Sequence, residues 1–234
     1  MEKIEKIYEG KGKIIYSTND PRLVIQYFKD DTTCFNAAKR GTVEDKGILN
    51  NKISSKIFEF LEHEGIPTHF ERYLNDREML VKRVEIIPME VVVRKRACGS
   101  LCRRLALQEG LIFPHPILEF CFKCDDLNDP MINEYHISAL YLAGEQEVET
   151  IKKFTFRICD LLTSFFANLN VELIDFKLEF GRYKDEIILA DEISPDTCRL
   201  WEIGTGVKLD KDRFRFDMGQ IKEAYQEVLA RVSR

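Results

Sequence analysis

The sequence lacks any uninterrupted apolar run of the length that a membrane-spanning helix requires. Residues 1–6 also lack the apolar core of a secretory signal, because charged side chains are interspersed among them. We therefore expect a cytoplasmic protein with no membrane partner. The sequence has no basic excess either, and its formal net charge of −5 argues against nucleic acid as a partner.

Internal repeats, low-complexity linkers and clustered histidines are absent as well. The hydrophobic fraction of 44% and the charged fraction of 32% are those of an ordinary soluble globular protein. A chain of 234 residues can bury a substantial core, as one large domain or as two smaller lobes. These properties leave room for a local basic pocket that binds a small anionic substrate.

The cysteines number seven, an odd count without a secretory signal, which predicts reduced thiols rather than a disulfide framework. Two close pairs, Cys98 with Cys102 and Cys121 with Cys124, have a separation compatible with a four-cysteine zinc site. The alternative places Cys98 in a turn, Cys102 in the following helix and the second pair in a separate strand. We favour this alternative, which equimolar zinc in chelator-washed protein would contradict.

The stretch from residue 171 to residue 201 has the strongest chemical pattern in the sequence. Strand side chains alternate between the two faces of a sheet, so Asp175, Lys177 and Glu179 share one face. The apolar residues between them share the other. One face therefore belongs to the core, and the other is available for chemistry.

The second strand of this stretch is predicted at Ile187–Ile193, after a turn at Gly181, and it carries Asp191. Asp191 shares the face of Glu179 only if paired residue numbers add up to an even value, and a pairing of Lys177 with Asp191 meets this condition. Two carboxylates and an ammonium on rigid strands suit a divalent cation and a phosphorylated ligand. A solvated sheet face with cross-strand ion pairs is the alternative.

A turn at residues 194–199 follows the second strand and holds another acid, Asp196, and a base, Arg199. Loops that rigid strands hold in place are where functional sites concentrate. The turn therefore counts in favour of a metal or phosphate site and against the solvated sheet face.

Two glycines, Gly10 and Gly12, lie in a turn between two short strands predicted from Ile7 to Tyr16. Glycine lets the backbone approach a phosphate closely, and Lys11 and Lys13 supply positive charge. On these residues alone an exposed hairpin turn is the favoured interpretation, and phosphate binding is the alternative.

A further phosphate site is indicated where an apolar strand, Met89–Val93, leads into Arg94. We predict that a helix follows from Ser100 to Glu109, with Ser100 as N-cap and Gly110 as the stop. A helix N-terminus carries free N–H groups and a partial positive charge, and arginine is a bidentate donor to phosphate. A purely structural cap at Ser100 is the favoured interpretation without further information.

The remaining periodicities define the fold class. They predict strands at Leu23–Phe28, Thr68–Tyr73, Met79–Val84 and Leu118–Lys123, and helices at Lys46–Glu64, Glu145–Leu169 and Met218–Val232. The polar segment of residues 30–46 is predicted to be a mobile loop. Antiparallel hairpins first and long helices later favour an α+β protein of two lobes with the site between them.

Three long motifs resemble those of one enzyme family, the SAICAR synthetases of purine biosynthesis. Two are Asp175–Gly181 (DFKLEFG) and Asp191–Trp201 (DEISPDTCRLW). The third runs from Pro88–Arg94 (PMEVVVR) to Ala97–Ser100 (ACGS), and the resemblance begins at Tyr8–Lys13 (YEGKGK). Three long motifs in the expected order are a specific signal, and they cover nearly the whole chain.

The resemblance implies an ATP-dependent, amide-forming ligase. It is expected to join L-aspartate to the carboxylate of carboxyaminoimidazole ribotide (CAIR) through an acyl phosphate, and to release ADP and phosphate. The implied cofactors are ATP and Mg²⁺, and the implied assembly is a homodimer. The implied fold has a kinase-like N-terminal nucleotide-binding lobe, residues 1–87, and a larger C-terminal α+β lobe for substrate and metal, residues 88–234, with ATP in the cleft.

The resemblance also assigns the site residues. Those expected at ATP are Lys11, Gly12, Lys13, Lys82, Val84, Glu179 and Asp191. The expected metal contacts are Glu179, Asp191 and Glu44, with Asp45 as the alternative to Glu44. Those expected at the other substrates are Glu90, Arg94, Ser100, Lys123, Asp129, Asp175, Lys177, Asp196 and Arg199. The catalytic residues expected among them are Lys177, Asp191 and Arg94.

Two other functions compete with the ligase. A kinase-type phosphotransferase that acts on a small metabolite would also need a glycine-lysine loop and metal-binding acids, but the sequence has no His-Arg-Asp or Asp-Phe-Gly motif. A non-catalytic module would bind ATP and Mg²⁺ without turnover.

The turn motif departs from the family pattern at Thr197, Cys198 and Leu200, which affects the expected pocket shape and not the reaction.

Overall fold

Two antiparallel sheets form the framework of the protein. The computed structural model describes residues 1–34 and 39–234. The strands are β1 (Lys3–Glu9), β2 (Lys13–Thr18), β3 (Leu23–Phe28), β4 (Asp31–Cys34), β5 (Lys39–Thr42), β6 (Phe70–Asn75), β7 (Glu78–Lys82), β8 (Glu85–Arg96), β9 (Ile112–Phe122), β10 (Met131–Ile132), β11 (Val171–Tyr183), β12 (Glu186–Ala190) and β13 (Cys198–Glu202). The helices are α1 (Lys46–His63), α2 (Ser100–Leu105), α3 (Glu134–Ala139), α4 (Glu145–Ala167), α5 (Asp212–Arg215) and α6 (Ile221–Val232). The predicted α+β class is confirmed.

The first sheet has the order β1-β2-β3-β7-β6, and all its neighbouring strands are antiparallel. Helix α1 packs on this sheet because one stripe of its side chains, including Ile53, Ile57 and Leu61, is apolar and fully buried. The last helix, α6, packs against α1. The C-terminal end of the chain therefore returns to the first sheet.

The second sheet has the order β10-β9-β8-β11-β12, and β13 pairs with the free part of β11. Helix α4 covers it with a buried stripe that includes Ile151, Ile158 and Leu162. The sheets separate at residues 83 and 84, whereas the predicted lobe boundary at residues 87 and 88 falls inside β8. The division into two lobes stays a prediction. Within the described residues no helix is long and apolar enough to cross a membrane.

The predicted turn at Gly181 is wrong. Strand β11 continues to Tyr183, and the chain reverses at residues 184–185. A Cβ atom on Gly181 would lie 2.7 Å from the Val84 Cγ2 atom, so this glycine permits a close approach inside the sheet. Glycine has two uses here that sequence alone does not separate, a turn and a tight contact.

The prediction of a loop at residues 30–46 is wrong for residues 31–34 and 39–42, which form strands. Strands β4 and β5 pair there as an antiparallel hairpin, from Asp31 with Thr42 to Cys34 with Lys39. The remainder of this prediction falls on residues 35–38, which lie outside the described residues.

Candidate active site

A cavity of about 560 Å³ is lined by residues from both sheets. A smaller cavity of about 170 Å³ adjoins it and shares Glu90, Lys177, Asp196, Thr197 and Arg215 with it. The predicted site residues on the larger cavity are Lys11, Gly12, Lys13, Glu90, Lys123, Asp129, Lys177, Glu179, Asp191 and Asp196. Those on the smaller cavity are Glu90, Arg94, Asp175, Lys177, Asp196 and Arg199. Most of the predicted site residues are therefore brought together.

Lys177 is at the centre of a cluster of acids. Its Nζ atom lies 2.6 Å from Glu179 Oε1, 3.0 Å from Glu90 Oε1 and 3.6 Å from Asp191 Oδ2. Glu90 faces it because β8 pairs with β11 so that Glu90 lies opposite Glu179. Burial lowers the pKa of Lys177, but the surrounding carboxylates outweigh this effect and raise it well above its usual value. Lys177 is a fixed cation.

Asp191 reaches this cluster by a route different from the predicted one. Glu179 lies opposite Ala190, which gives an odd sum of residue numbers, so the predicted even-sum register is wrong. Strand β12 ends at Ala190, and Asp191 has a φ of 66°, in the left-handed region. Its carboxylate accepts a hydrogen bond from Lys13. Burial raises the pKa of Asp191, but the ammoniums of Lys13 and Lys177 outweigh this effect and lower the pKa below its usual value. The group is therefore a carboxylate.

The carboxylates of Glu179 and Asp191 fit a magnesium ion that also contacts a phosphorylated substrate. Mg²⁺ is commonly bound by one or two carboxylates together with substrate phosphates, so a larger cluster is not required. Within residues 1–34 and 39–234, no cluster of three or more acid, histidine or cysteine side chains could hold a metal ion. Lysine ammoniums contact both carboxylates, and Lys123 Nζ lies 2.7 Å from Glu179 Oε1.

Glu44 is not brought to the cavity. Its side chain is 81% exposed and lies 3.0 Å from the ammonium of Lys222 on α6. Asp45 contacts the same ammonium at 2.7 Å. The metal contact assigned to one of these two acids therefore stays a prediction.

The glycine turn between β1 and β2 lies in the cavity wall, which agrees with the family resemblance and not with the exposed hairpin turn that the residues alone favoured. Gly10 donates its N–H to the Lys13 carbonyl oxygen at 2.9 Å, and a Cβ on Gly12 would meet no atom within 4 Å. Lys11 Nζ lies 2.7 Å from Asp125 Oδ1, and the Lys13 ammonium contacts Asp191. The backbone at Gly12 is therefore open to a ligand, and two cations flank it.

Lys82 and Val84 do not line either of these cavities. The Lys82 ammonium donates to the Thr68 carbonyl oxygen at 2.9 Å, and Val84 packs against Gly181. Both residues lie at the crossing from the first sheet to the second. The adenine contact assigned to them stays a prediction.

Arg94, Asp175 and Arg199 form one row across three neighbouring strands. Asp175 lies opposite Arg94 on β8 and opposite Arg199 on β13. Its Oδ2 atom accepts hydrogen bonds from Arg94 Nη1 at 2.9 Å and from Arg199 Nη1 at 2.7 Å. One carboxylate thus fixes two guanidinium groups, and their remaining donors suit a phosphate dianion.

Ser100 is not the N-cap of its helix. Gly99 has that position, with φ 59°, and α2 ends at Leu105 rather than at Glu109. The Ser100 hydroxyl instead lies 3.2 Å from Arg94 Nη2, from which it accepts a hydrogen bond. The predicted capping role is wrong, and the contact with Arg94 places Ser100 beside the arginine pair.

Asp196 is held by two groups that the sequence analysis missed. Lys46 Nζ on α1 lies 2.6 Å from its Oδ2 atom, and the Tyr225 hydroxyl on α6 donates to its Oδ1 atom at 2.7 Å.

Asp129 accepts the Cys124 N–H at 2.9 Å. The missed site residues also include Glu119, Lys211, Asp212 and Arg215. None of them belongs to a recognisable motif. Glu119 and Asp212 are identified by their contacts with Arg94 and Arg199, and Lys211 and Arg215 by their position on the larger cavity.

A family model described as SAICAR synthetase matches residues 6–232. The chain belongs to the SAICAR synthetase family. The phosphoribosylaminoimidazole-succinocarboxamide synthase of Caldanaerobacter subterraneus subsp. tengcongensis is 56% identical over 234 residues, and the match covers 100% of each chain. The family predicted from the three motifs is confirmed.

Solved structures of SAICAR synthetases have the same fold. The crystal structure of phosphoribosylaminoimidazole-succinocarboxamide synthase from Ehrlichia chaffeensis is similar with a TM-score of 0.96 and 48% identity, over 98% of each chain. A SAICAR synthetase (Type-2) in complex with ADP is similar with a TM-score of 0.93 and 43% identity, over 96% of each chain. That relative binds an adenine nucleotide on the shared fold.

Proposed function

We propose that the protein joins L-aspartate to the carboxylate of CAIR, with cleavage of ATP to ADP and phosphate. The observation that carries this proposal is the shared wall of the two cavities. The lysine and acid cluster around Lys177 adjoins the arginine pair of Arg94 and Arg199. A ribotide phosphate on the arginines would bring the other end of the same molecule to the phosphoryl-transfer groups.

The nucleotide side of the proposal uses the glycine turn. Lys11, Gly12 and Lys13 bind the ATP phosphates, and the backbone near Lys82 and Val84 contacts adenine. Mg²⁺ on Glu179 and Asp191 would neutralise charge on the phosphates. Glu44 is proposed as a further contact that requires its segment to leave Lys222.

The ribotide side explains why a carboxylate can react at neutral pH. A carboxylate is a poor electrophile, and phosphoryl transfer converts it to an acyl phosphate that an amine can attack. Lys177 stabilises negative charge on the transferring group, because it stays an ammonium among its acids.

The remaining substrate contacts follow from the two cavities. Arg94, Ser100 and Arg199 hold the ribotide phosphate, and Asp175 fixes the two arginines. Glu90 and Asp196 orient the imidazole and ribose. Lys123 and Asp129 lie on the side proposed for the amino acid.

We extend the proposal to a homodimer located in the cytoplasm. All seven cysteines are free thiols, which fits a reducing compartment. Multi-angle light scattering of the purified protein measures the assembly directly, and a monomer mass would contradict the homodimer.

The decisive experiment measures ADP release by the purified protein with MgATP, CAIR and L-aspartate, together and with each omitted. The ligase requires all three, and it forms the succinocarboxamide product, which mass spectrometry detects. ATP cleavage with CAIR alone would indicate a phosphotransferase or uncoupled activation of CAIR. ATP binding without turnover would indicate a non-catalytic module.

A further inference from the structure

Lys211 differs from the other cations that line the larger cavity. The ammoniums of Lys11, Lys13, Lys123 and Lys177 each contact at least one carboxylate. Within residues 1–34 and 39–234, no carboxylate lies within ion-pair distance of Lys211 Nζ. This ammonium is therefore available to an anionic ligand.

Arg215 lies one helical turn after Lys211 and lines the same cavity. The Arg215 N–H donates to the Lys211 carbonyl oxygen at 3.0 Å, and residues four apart in a helical turn share one side. Arg215 Nη1 donates to Asp212 Oδ1 at 2.6 Å, which anchors the guanidinium group. Its Nε and Nη2 atoms have no hydrogen-bond partner among the described residues. Two cationic groups with available donors therefore face one region.

Acids lie near Lys211, but none in residues 1–34 and 39–234 forms a direct ion pair with it. The charged groups that face it are Asp196, Lys46, Arg215 and Glu192. Burial lowers the pKa of Lys211, and this effect outweighs the opposite effect of Asp196, whose carboxylate is contacted directly by Lys46 and Tyr225. A carboxylate ligand would supply the missing counter-charge.

The backbone holds this pair of cations in place. The Lys211 N–H donates to the Pro195 carbonyl oxygen at 3.1 Å, so the segment is tied to the turn that carries Asp196. On the other side, Lys39 Nζ of β5 donates to the Phe214 carbonyl oxygen at 2.7 Å. The β4–β5 hairpin is thereby fixed beside α5, and Thr33 and Cys34 of this hairpin line the same cavity.

We propose that Lys211 and Arg215 bind the two carboxylates of L-aspartate. This inference rests on the proposed function, since it names the subsite for the third substrate. The two cations match a dicarboxylate. Lys211 lies on the larger cavity and Arg215 on the wall that the two cavities share, whereas the arginine pair assigned to the ribotide phosphate lies on the smaller cavity. The pair would select L-aspartate over L-asparagine, which lacks the second carboxylate.

The test compares the variants Lys211→Met, Lys211→Arg and Arg215→Met with a control, Lys153→Met, on the exposed surface of α4. Loss of a charge-assisted contact is expected to raise the KM for L-aspartate about 10- to 100-fold in both methionine variants. The KM for CAIR and for ATP should stay within about twofold in Lys211→Met. Lys211→Arg keeps the charge and should recover most of the affinity. Thermal unfolding verifies that each variant is folded.

A second readout does not depend on turnover. Succinate has both carboxylates but no amine, so calorimetry should detect its binding to the wild type and to Lys153→Met in the presence of CAIR, and no binding to Lys211→Met. The ratio of kcat/KM for L-aspartate to that for L-asparagine should also fall in Lys211→Met.

The outcomes separate this inference from the proposed function. A KM for L-aspartate within twofold of the wild type in Lys211→Met, or a rise in the KM for CAIR alone, overturns the subsite and leaves the ligase intact. Succinate binding that needs Lys211, in a protein that never cleaves ATP, supports the subsite and contradicts the ligase.

Discussion

Lys177 Nζ lies 2.6 Å from Glu179 Oε1, two residues further along the same strand. Glu179 keeps a second ammonium, that of Lys123 at 2.7 Å, when Lys177 is removed. The fold should therefore tolerate Lys177→Ala, because the buried carboxylate retains a partner. A loss of activity in Lys177→Ala would therefore report on the chemistry and not on the stability of the fold.

We expect Lys177→Ala to lower kcat at least 100-fold, which corresponds to about 2.7 kcal/mol in the barrier. The reason is the loss of a fixed positive charge at the transferring phosphoryl group. Steady-state ADP release measures the effect, and Lys56→Ala on the exposed side of α1 is the control. A turnover within threefold of the wild type would remove Lys177 from the mechanism.

Ser100→Ala tests whether this serine acts on ligand or on fold. Its hydroxyl caps no helix N–H and has one described contact, with Arg94, so the free energy of unfolding should fall by less than about 1 kcal/mol. The KM for CAIR should rise about 10-fold, since a donor to the phosphate is lost. Urea unfolding and initial rates measure the two quantities.

The comparison variant is Arg94→Met. Arg94 is 7% exposed and contacts the buried carboxylates of Glu119 and Asp175, so its removal should cost about 3–5 kcal/mol of stability. A large loss of stability in Ser100→Ala with an unchanged KM would mean that Ser100 is structural.

Gly12→Ala tests the phosphate loop. An added Cβ meets no protein atom within 4 Å, so the unfolding free energy should change little. A phosphate bound against this backbone would be displaced, and the KM for ATP should rise about 10-fold. Gly144→Ala, whose Cβ would have its nearest neighbour at 3.8 Å, is a control outside the cavity. Equal kinetics in the two variants would exclude close phosphate contact at Gly12.

The contact between Lys46 and Asp196 makes a strong prediction on stability. The two side chains are 2% and 9% exposed, so Lys46→Met leaves a buried carboxylate without its ammonium. The free energy of unfolding should fall by about 3–5 kcal/mol, whereas Tyr225→Phe, which removes one hydrogen bond, should cost about 1–2 kcal/mol. Urea unfolding of both variants measures the difference, and equal losses would contradict the assignment of Lys46 as the main partner.

His69 predicts how stability depends on pH. It is 2% exposed, and burial lowers its pKa from 6.5 to about 4. The unfolded chain therefore binds more protons than the folded protein between these values, so the unfolding free energy is complete above pH 6.5 and falls as the pH decreases towards 4. The expected loss at pH 4 is about 3 kcal/mol.

The measurement is urea unfolding of the wild type and of His69→Gln between pH 7 and pH 4. The difference between the two curves isolates His69 from the acids that titrate in the same range. Parallel curves would show that His69 is not held neutral in the fold.

The sequence predicted the local part of the site well. Period-two alternation is a property of a single strand, and it placed Lys177 and Glu179 on one face correctly. The glycine turn at Gly12 and helix α1 are likewise set by adjacent residues. Local rules were sufficient for these elements, but they were wrong for the cap at Ser100 and for the end of α2.

The register of β11 with β12 could not be predicted in this way. It depends on where the hairpin turns, and Gly181, the only glycine in residues 171–201, serves a close contact with Val84 rather than a turn. The partners of Asp196 were missed for a related reason, because Lys46 is 150 residues away in sequence. Such contacts come from packing of α1 and α6, which no local periodicity encodes.

Three remote segments meet at Asp196: the start of α1, the turn after β12, and α6. Contacts of such long sequence separation give the protein a high contact order, and loop-closure entropy must be overcome before they form. We therefore expect slow folding, in which the turn is not fixed during synthesis until α6 has been made. Chaperone dependence during translation is the expected consequence, because the Tyr225 contact with Asp196 and the packing of α6 on α1 form only when that last helix docks.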